Sequence, residues 1–165
     1  MTVRFHAEHS IDGSKADVAA LLVDSAFYLH LALPDVSLPE LVDEGSEGDR
    51  AMLRLRYEFV GNLEPIAQRL LGSSRLAWIQ EVRVDKSAGT GTLQFSAEKD
   101  PRRLHGAADF VLTQAGGATL RRIAGELVVA VPGIGRMAER RIVPGLLRRM
   151  DIEAQAMDEQ LRRGD

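Results

Sequence analysis

Hydrophobic and polar residues alternate along the start of the chain. One set of alternate positions is mostly apolar and the other is polar: Val3, Phe5, Ala7, His9 and Ile11 against Arg4, His6, Glu8 and Ser10. This pattern predicts a strand with one solvent-exposed face. From Asp12 to Leu33 the apolar spacing becomes helical, and it predicts two short helices, with Ser14 as the N-cap of the first and Pro34 following the second.

The period of two returns after Pro34 and predicts six further strands. The first, over Val36–Glu44, is predicted to lie at a sheet edge because Pro39 cannot donate a backbone hydrogen bond. The others are expected near residues 51–60, 76–84, 93–97, 108–112 and 123–131, with one or two helical turns over 63–72. Because the loops between the last strands are short, we expect these strands to be antiparallel neighbours.

Apolar residues recur at helical spacing from Pro132 to the end of the chain. They predict a helix of about 28 residues, roughly 40 Å long, which is enough to cross a sheet. Pro144 lies inside this stretch, so we expect a kink or a restart of the helix there. These elements predict a single α+β domain over residues 1–165.

A Gly-x-Gly-x-x-Ala segment, formed by Gly133, Gly135 and Ala138, lies between the last strand and this helix. Such a segment holds a dinucleotide phosphate when a further strand follows and supplies an acid for the ribose. No strand follows here. We therefore interpret the segment as a turn and expect no cofactor.

Composition narrows the functional classes. The chain has no cysteine, which removes thiolate metal sites and agrees with a cytoplasmic location. Its net charge of −3 argues against nucleic-acid binding, and acids such as Asp151 and Glu153 are expected to share a solvated face with the C-terminal arginines. No apolar stretch is long enough for integral membrane association.

The predicted order of elements resembles the helix-grip fold of START lipid-transfer domains, the birch pollen allergen and bacterial polyketide cyclases. The segments HSIDGSKADVAALLVDSAFY and VPGIGRMAERRIVPGLLRRMDIEAQAM are similar to an uncharacterised actinobacterial branch of that superfamily, including its Pro-x-x-Gly-x-x-x-Glu pattern at Pro132, Gly135 and Glu139. The resemblance implies a curved antiparallel sheet of about seven strands, wrapped around the long C-terminal helix, with a cavity between them. It implies no catalytic residue set.

Aromatic residues from several predicted strands fall on the apolar faces, where they fill a core or line a pocket. Together with the implied cavity they predict a ligand-binding set: Phe5, His9, Tyr57, Trp78, Gln80, Phe95, Phe110, Met150 and Met157. Arg141 and Arg149 lie at the edge of the helical apolar stripe, where each can extend to solvent or hold an anionic group. His6, Glu8 and His9 supply at most two metal ligands on one face, so no metal site is predicted.

Three functions remain open at the level of sequence. The first is a protein that binds or carries a hydrophobic small molecule, without chemistry of its own. The second is an enzyme of the cyclase or aromatase type, in which His9, Tyr57 or Gln80 positions and protonates the substrate. The third is a co-chaperone-like or regulatory module that acts through its surface.

Overall fold

Seven strands form one antiparallel sheet in the computed structural model, which describes residues 1–62, 76–133 and 138–164. The strands are β1 (Thr2–Ile11), β2 (Glu40–Glu47), β3 (Arg50–Glu58), β4 (Ala77–Asp85), β5 (Thr90–Ala97), β6 (Leu104–Ala115) and β7 (Ala118–Val129). Their order across the sheet is β1-β7-β6-β5-β4-β3-β2. The first strand therefore lies at one edge and pairs with the last strand, and the other strands are paired with their neighbours in sequence.

Two short helices follow β1, as predicted: α1 (Lys15–Leu21) and α2 (Ser25–Leu29). The hydroxyl of Ser14 accepts a hydrogen bond from the backbone N–H of Asp17 at 3.1 Å, which confirms Ser14 as the N-cap of α1. Helix α2 ends at Leu29, four residues before the predicted end. His30, with φ −109° and ψ 1°, leaves the helical conformation and caps the helix.

The edge position predicted for the second strand is confirmed, but its start is not. β2 begins at Glu40, directly after Pro39, and all of its residues are exposed. Val36 instead forms an isolated bridge with Phe59 of the chain that follows β3. Pro39 separates the two pairings because it has no N–H with which to continue the ladder.

Aromatic rings cover glycines of the neighbouring strands on the inner face of the sheet. Phe95 of β5 lies opposite Gly106 of β6, and Phe110 of β6 lies opposite Gly91 of β5. A Cβ atom at either glycine would overlap the facing ring. These glycines therefore let large side chains lie flat on the sheet, where they join the hydrophobic core.

A π-helical turn (Ala138–Ile142) leads into the long helix α3 (Val143–Arg163). Pro144 lies in the first turn of α3, directly after the π-helical turn, so the predicted restart takes the form of a change from π-helical to α-helical geometry. Helix α3 packs against β1 and α1 and buries Met150, Ala154 and Met157. No helix in the described ranges is long and apolar enough to cross a membrane.

Gly133 has a φ of 83°, so the chain turns through a left-handed residue after β7. Gly135 and the helical turns predicted over 63–72 lie outside the described residues.

Candidate functional site

A cavity lies between the inner face of the sheet and α3. Its volume is about 30 Å³, and it opens to solvent. The lining residues come from four strands, from α3 and from the segment after α2: Tyr57, Trp78, Gln80, Leu93, Phe95, Arg121, Ile123, Leu146, Arg149, Met150, Glu153 and Leu33.

Tyr57 and Trp78 form the aromatic wall of this cavity. They are paired across β3 and β4, and their rings are stacked with centroids 5.8 Å apart and an angle of 18° between the planes. Burial raises the pKa of Tyr57, and the charge of Glu153 raises it further. The Tyr57 hydroxyl therefore keeps its proton at neutral pH and can donate a hydrogen bond.

A buried arginine links the sheet to α3 at the other side of the cavity. Arg121 of β7 is only 2% exposed, and its Nη1 donates to Oε1 of Glu153 at 2.6 Å. Its Nη2 donates to Nδ1 of His9 at 3.2 Å and approaches the carbonyl of Met150 at 3.4 Å. The Nε–H of Arg121 has no hydrogen-bond partner in the described structure.

His9 is held by groups on both sides of its ring. Because Nδ1 accepts from Arg121, Nε2 carries the proton and donates to Oδ1 of Asp151 at 2.9 Å. Burial lowers the pKa of His9 and the charge of Arg121 lowers it further, while Asp151 and Glu153 oppose them. His9 therefore remains neutral at pH 7 and joins β1 to α3.

Arg149 covers the aromatic wall from the helix side. Its guanidinium carbon lies 5.6 Å from the centroid of the Trp78 ring, which is a cation–π distance. Burial lowers the pKa of Arg149, and the negative charge of Asp35 opposes this shift. No carboxylate of the described residues forms an ion pair with it.

The structure brings five of the nine predicted ligand-binding residues to the cavity lining: Tyr57, Trp78, Gln80, Phe95 and Met150. Phe5, Phe110 and Met157 are buried in the hydrophobic core, and His9 lies beside the cavity in the cluster around Arg121. Contact of any of the nine with a ligand remains a prediction.

Sequence reasoning singled out Arg149 but missed the other two charged residues of the lining, Arg121 and Glu153. Glu153 was expected on a solvated face, but its side chain is only 13% exposed, whereas Asp151 is 67% exposed. Arg121 carried one usable signal, since it occupies the same inward-facing phase of β7 as Thr119 and Ile123. Glu153 also lies one helical turn from Met150, next to the apolar stripe.

Comparison with known proteins agrees with this architecture. A family model described as "Protein of unknown function (DUF2505)" matches residues 6–161. No curated protein matches the sequence.

Solved structures of the same fold are numerous. The Zhui aromatase/cyclase from Streptomyces sp. R1128 is similar with a TM-score of 0.68 and 11% identity, over 99% of this chain and 98% of that one. Norcoclaurine synthase from Thalictrum flavum, solved with dopamine and hydroxybenzaldehyde, gives a TM-score of 0.65 and 17% identity, over 100% of this chain and 89% of that one. Ara h 8.0201 gives a TM-score of 0.58 and 12% identity, over 95% of this chain and 99% of that one. These similarities confirm the helix-grip fold, and at such identities they establish the fold alone.

Proposed function

The chain belongs to the DUF2505 family, and we propose that it binds a hydrophobic small molecule in the cavity between the sheet and α3. The observation that carries this proposal is the aromatic wall of Tyr57 and Trp78, which together with Phe95 of the same lining faces a helix across unfilled space. Stacked rings with polar edges provide large apolar contact and a few orienting hydrogen bonds, which is the usual composition of a small-molecule site.

The cavity must widen before a ligand enters it. A volume of about 30 Å³ has room for roughly two water molecules, whereas a site for an organic ligand usually measures hundreds of Å³. Arg149 is the side chain best placed to move, because the described structure gives it a ring contact but no ion pair. Such a cation–π contact contributes about 0.5–2 kcal/mol, so ligand binding can offset its loss.

The single tryptophan makes this proposal measurable, since Trp78 is both the only tryptophan and part of the cavity wall. Titration with the neutral probe N-phenyl-1-naphthylamine is expected to quench Trp78 emission by energy transfer, with saturation near one probe per chain. Leu93→Phe adds a ring inside the cavity and is expected to weaken binding about tenfold or more, because overpacking removes the space the probe needs.

Val111→Phe is the matched control, since Val111 lies on β6 and is exposed on the other face of the sheet. This variant should bind the probe with the affinity of the unmodified chain. Loss of binding in both variants, or in neither, would contradict a site in the cavity. Circular dichroism of each variant verifies that the fold is retained.

The geometry favours a structural role for His9 over a catalytic one. The cyclase-type alternative names His9, Tyr57 or Gln80 as the protonating group, and the His9 form of it is disfavoured because both ring nitrogens of His9 are occupied by Arg121 and Asp151. Asp151 is exposed and does not line the cavity. A histidine held in this way serves as a structural link between β1 and α3.

A further inference from the structure

The charged groups that line the cavity do not balance. Arg121 and Arg149 contribute two guanidinium groups, and Glu153 contributes the single carboxylate. That carboxylate is already hydrogen-bonded to Nη1 of Arg121 at 2.6 Å. The lining therefore has an excess of one positive charge, and the excess lies on Arg149.

Arg149 is poorly compensated where it lies. Burial has removed part of its hydration, which is why its pKa is lowered, and the face of Trp78 replaces only part of that loss. The charge of Asp35 acts on Arg149, but the two residues form no ion pair in the described structure. A partly buried cation without an ion-pair partner gains more from an arriving anion than an exposed cation does, because much of its desolvation has already occurred. Arg149 is therefore the strongest attraction for negative charge in this cavity.

Unpaired hydrogen-bond donors lie beside this cation. In the portion of the chain described here, neither the hydroxyl of Tyr57 nor the side-chain amide of Gln80 makes a hydrogen bond, although both residues line the cavity. The Nε–H of Arg121 is also unpaired, but it is fully buried behind the lining. Several donors without acceptors are suited to a ligand that supplies oxygen acceptors.

We infer that the ligand is an amphipathic anion, with a hydrophobic body against Tyr57 and Trp78 and one anionic oxygen group paired with Arg149. This inference rests on the proposed function and specifies the ligand class of the same site. Carboxylates, phenolates and sulfonates share the chemistry required, since each presents charged oxygen atoms to a guanidinium.

A matched pair of probes tests the inference. N-phenyl-1-naphthylamine is neutral, and 8-anilinonaphthalene-1-sulfonate has the same aromatic skeleton with one sulfonate added. The readout is the ratio of their two Kd values in the full chain and in variants, each Kd measured by quenching of Trp78. Arg149→Met keeps an unbranched apolar stem without the charge, and it should shift this ratio against the sulfonate by about tenfold, the scale of one charge-assisted hydrogen bond.

Arg148→Met is the control, since Arg148 is an exposed arginine adjacent on the same helix. Its ratio should equal that of the unmodified chain within about twofold. Binding of the neutral probe with a ratio unchanged by Arg149→Met, or shifted equally by Arg148→Met, would overturn the inference and leave the proposed function standing. If neither probe quenched Trp78, the proposed function itself would fail, and the inference with it.

Discussion

Arg121 shows how a single residue can connect the sheet, the helix and the cavity. It reaches Glu153 and the Met150 carbonyl on α3 and His9 on β1 while being almost fully buried. Burying a guanidinium costs free energy unless hydrogen bonds compensate, and here three atoms on two elements satisfy two of its three nitrogens while Nε stays unpaired. The same contacts fix the position of α3 relative to β1 and β7.

His9 gives this cluster a dependence on pH. Burial and the charge of Arg121 lower its pKa in the folded chain below the ordinary value of 6.5 that it has when unfolded. The unfolded chain therefore binds more protons between these two pKa values. The contribution of His9 to the free energy of unfolding is complete above pH 6.5 and is lost as the pH falls towards the lowered pKa of the folded chain.

We predict that His9→Gln reduces the dependence of the free energy of unfolding on pH below pH 6.5. Glutamine can still accept from Arg121 and donate to Asp151, but it does not titrate. Urea unfolding between about pH 7.5 and about pH 5 measures the change. His6→Gln, on the exposed face of the same strand, should retain the slope of the unmodified chain. Equal slopes in the two variants would show that His9 is not the titrating group.

Cross-strand packing on the inner face is the main feature at the scale of elements. The ring of Phe95 occupies the space where a side chain at position 106 would lie, and Phe95 is also part of the cavity lining. The pairing of β5 with β6 therefore helps to set the shape of the cavity. A substitution at Gly106 of β6 should therefore alter the cavity by displacing the Phe95 ring of β5.

Gly106→Ala tests this coupling. The added methyl group overlaps the Phe95 ring, so the ring must move, and we expect a loss of about 1–3 kcal/mol in the free energy of unfolding together with weaker binding of N-phenyl-1-naphthylamine. Gly45→Ala on the edge strand β2 is the control, since no atom lies within 4 Å of its added Cβ. Urea unfolding that shows both variants equally stable would contradict the close packing of Phe95 on Gly106.

Sequence periodicity predicted most elements because each depends on local pattern. Alternation identified β1 and β3, and Pro144 predicted the restart of the last helix. The start of β2 was misplaced because the local pattern does not show that Val36 pairs with Phe59 in a bridge separate from β2. Glu153 was misassigned because its burial depends on Arg121, which lies 32 positions earlier in the chain.

The whole molecule is a helix-grip domain whose site lies where the sheet and α3 face each other. The resemblance recognised in the sequence predicted the order of elements and the location of the cavity, because both are properties of the fold. It did not predict how narrow or how charged the cavity is. Those properties depend on where the long side chains of Arg149 and Arg121 lie, which only the packed structure shows.

The central claim is that a hydrophobic small molecule binds between the sheet and α3. The most direct measurement is an NMR titration of the ¹⁵N-labelled full chain with N-phenyl-1-naphthylamine, mapping the amide shifts onto the structure. The account predicts that the largest shifts occur at Tyr57, Gln80, Ile123 and Met150, on both sides of the cavity. Shifts centred instead on the pocket of about 430 Å³ on the outer face, around Arg54, Glu81 and Gln94, or no saturable shifts at all, would contradict it.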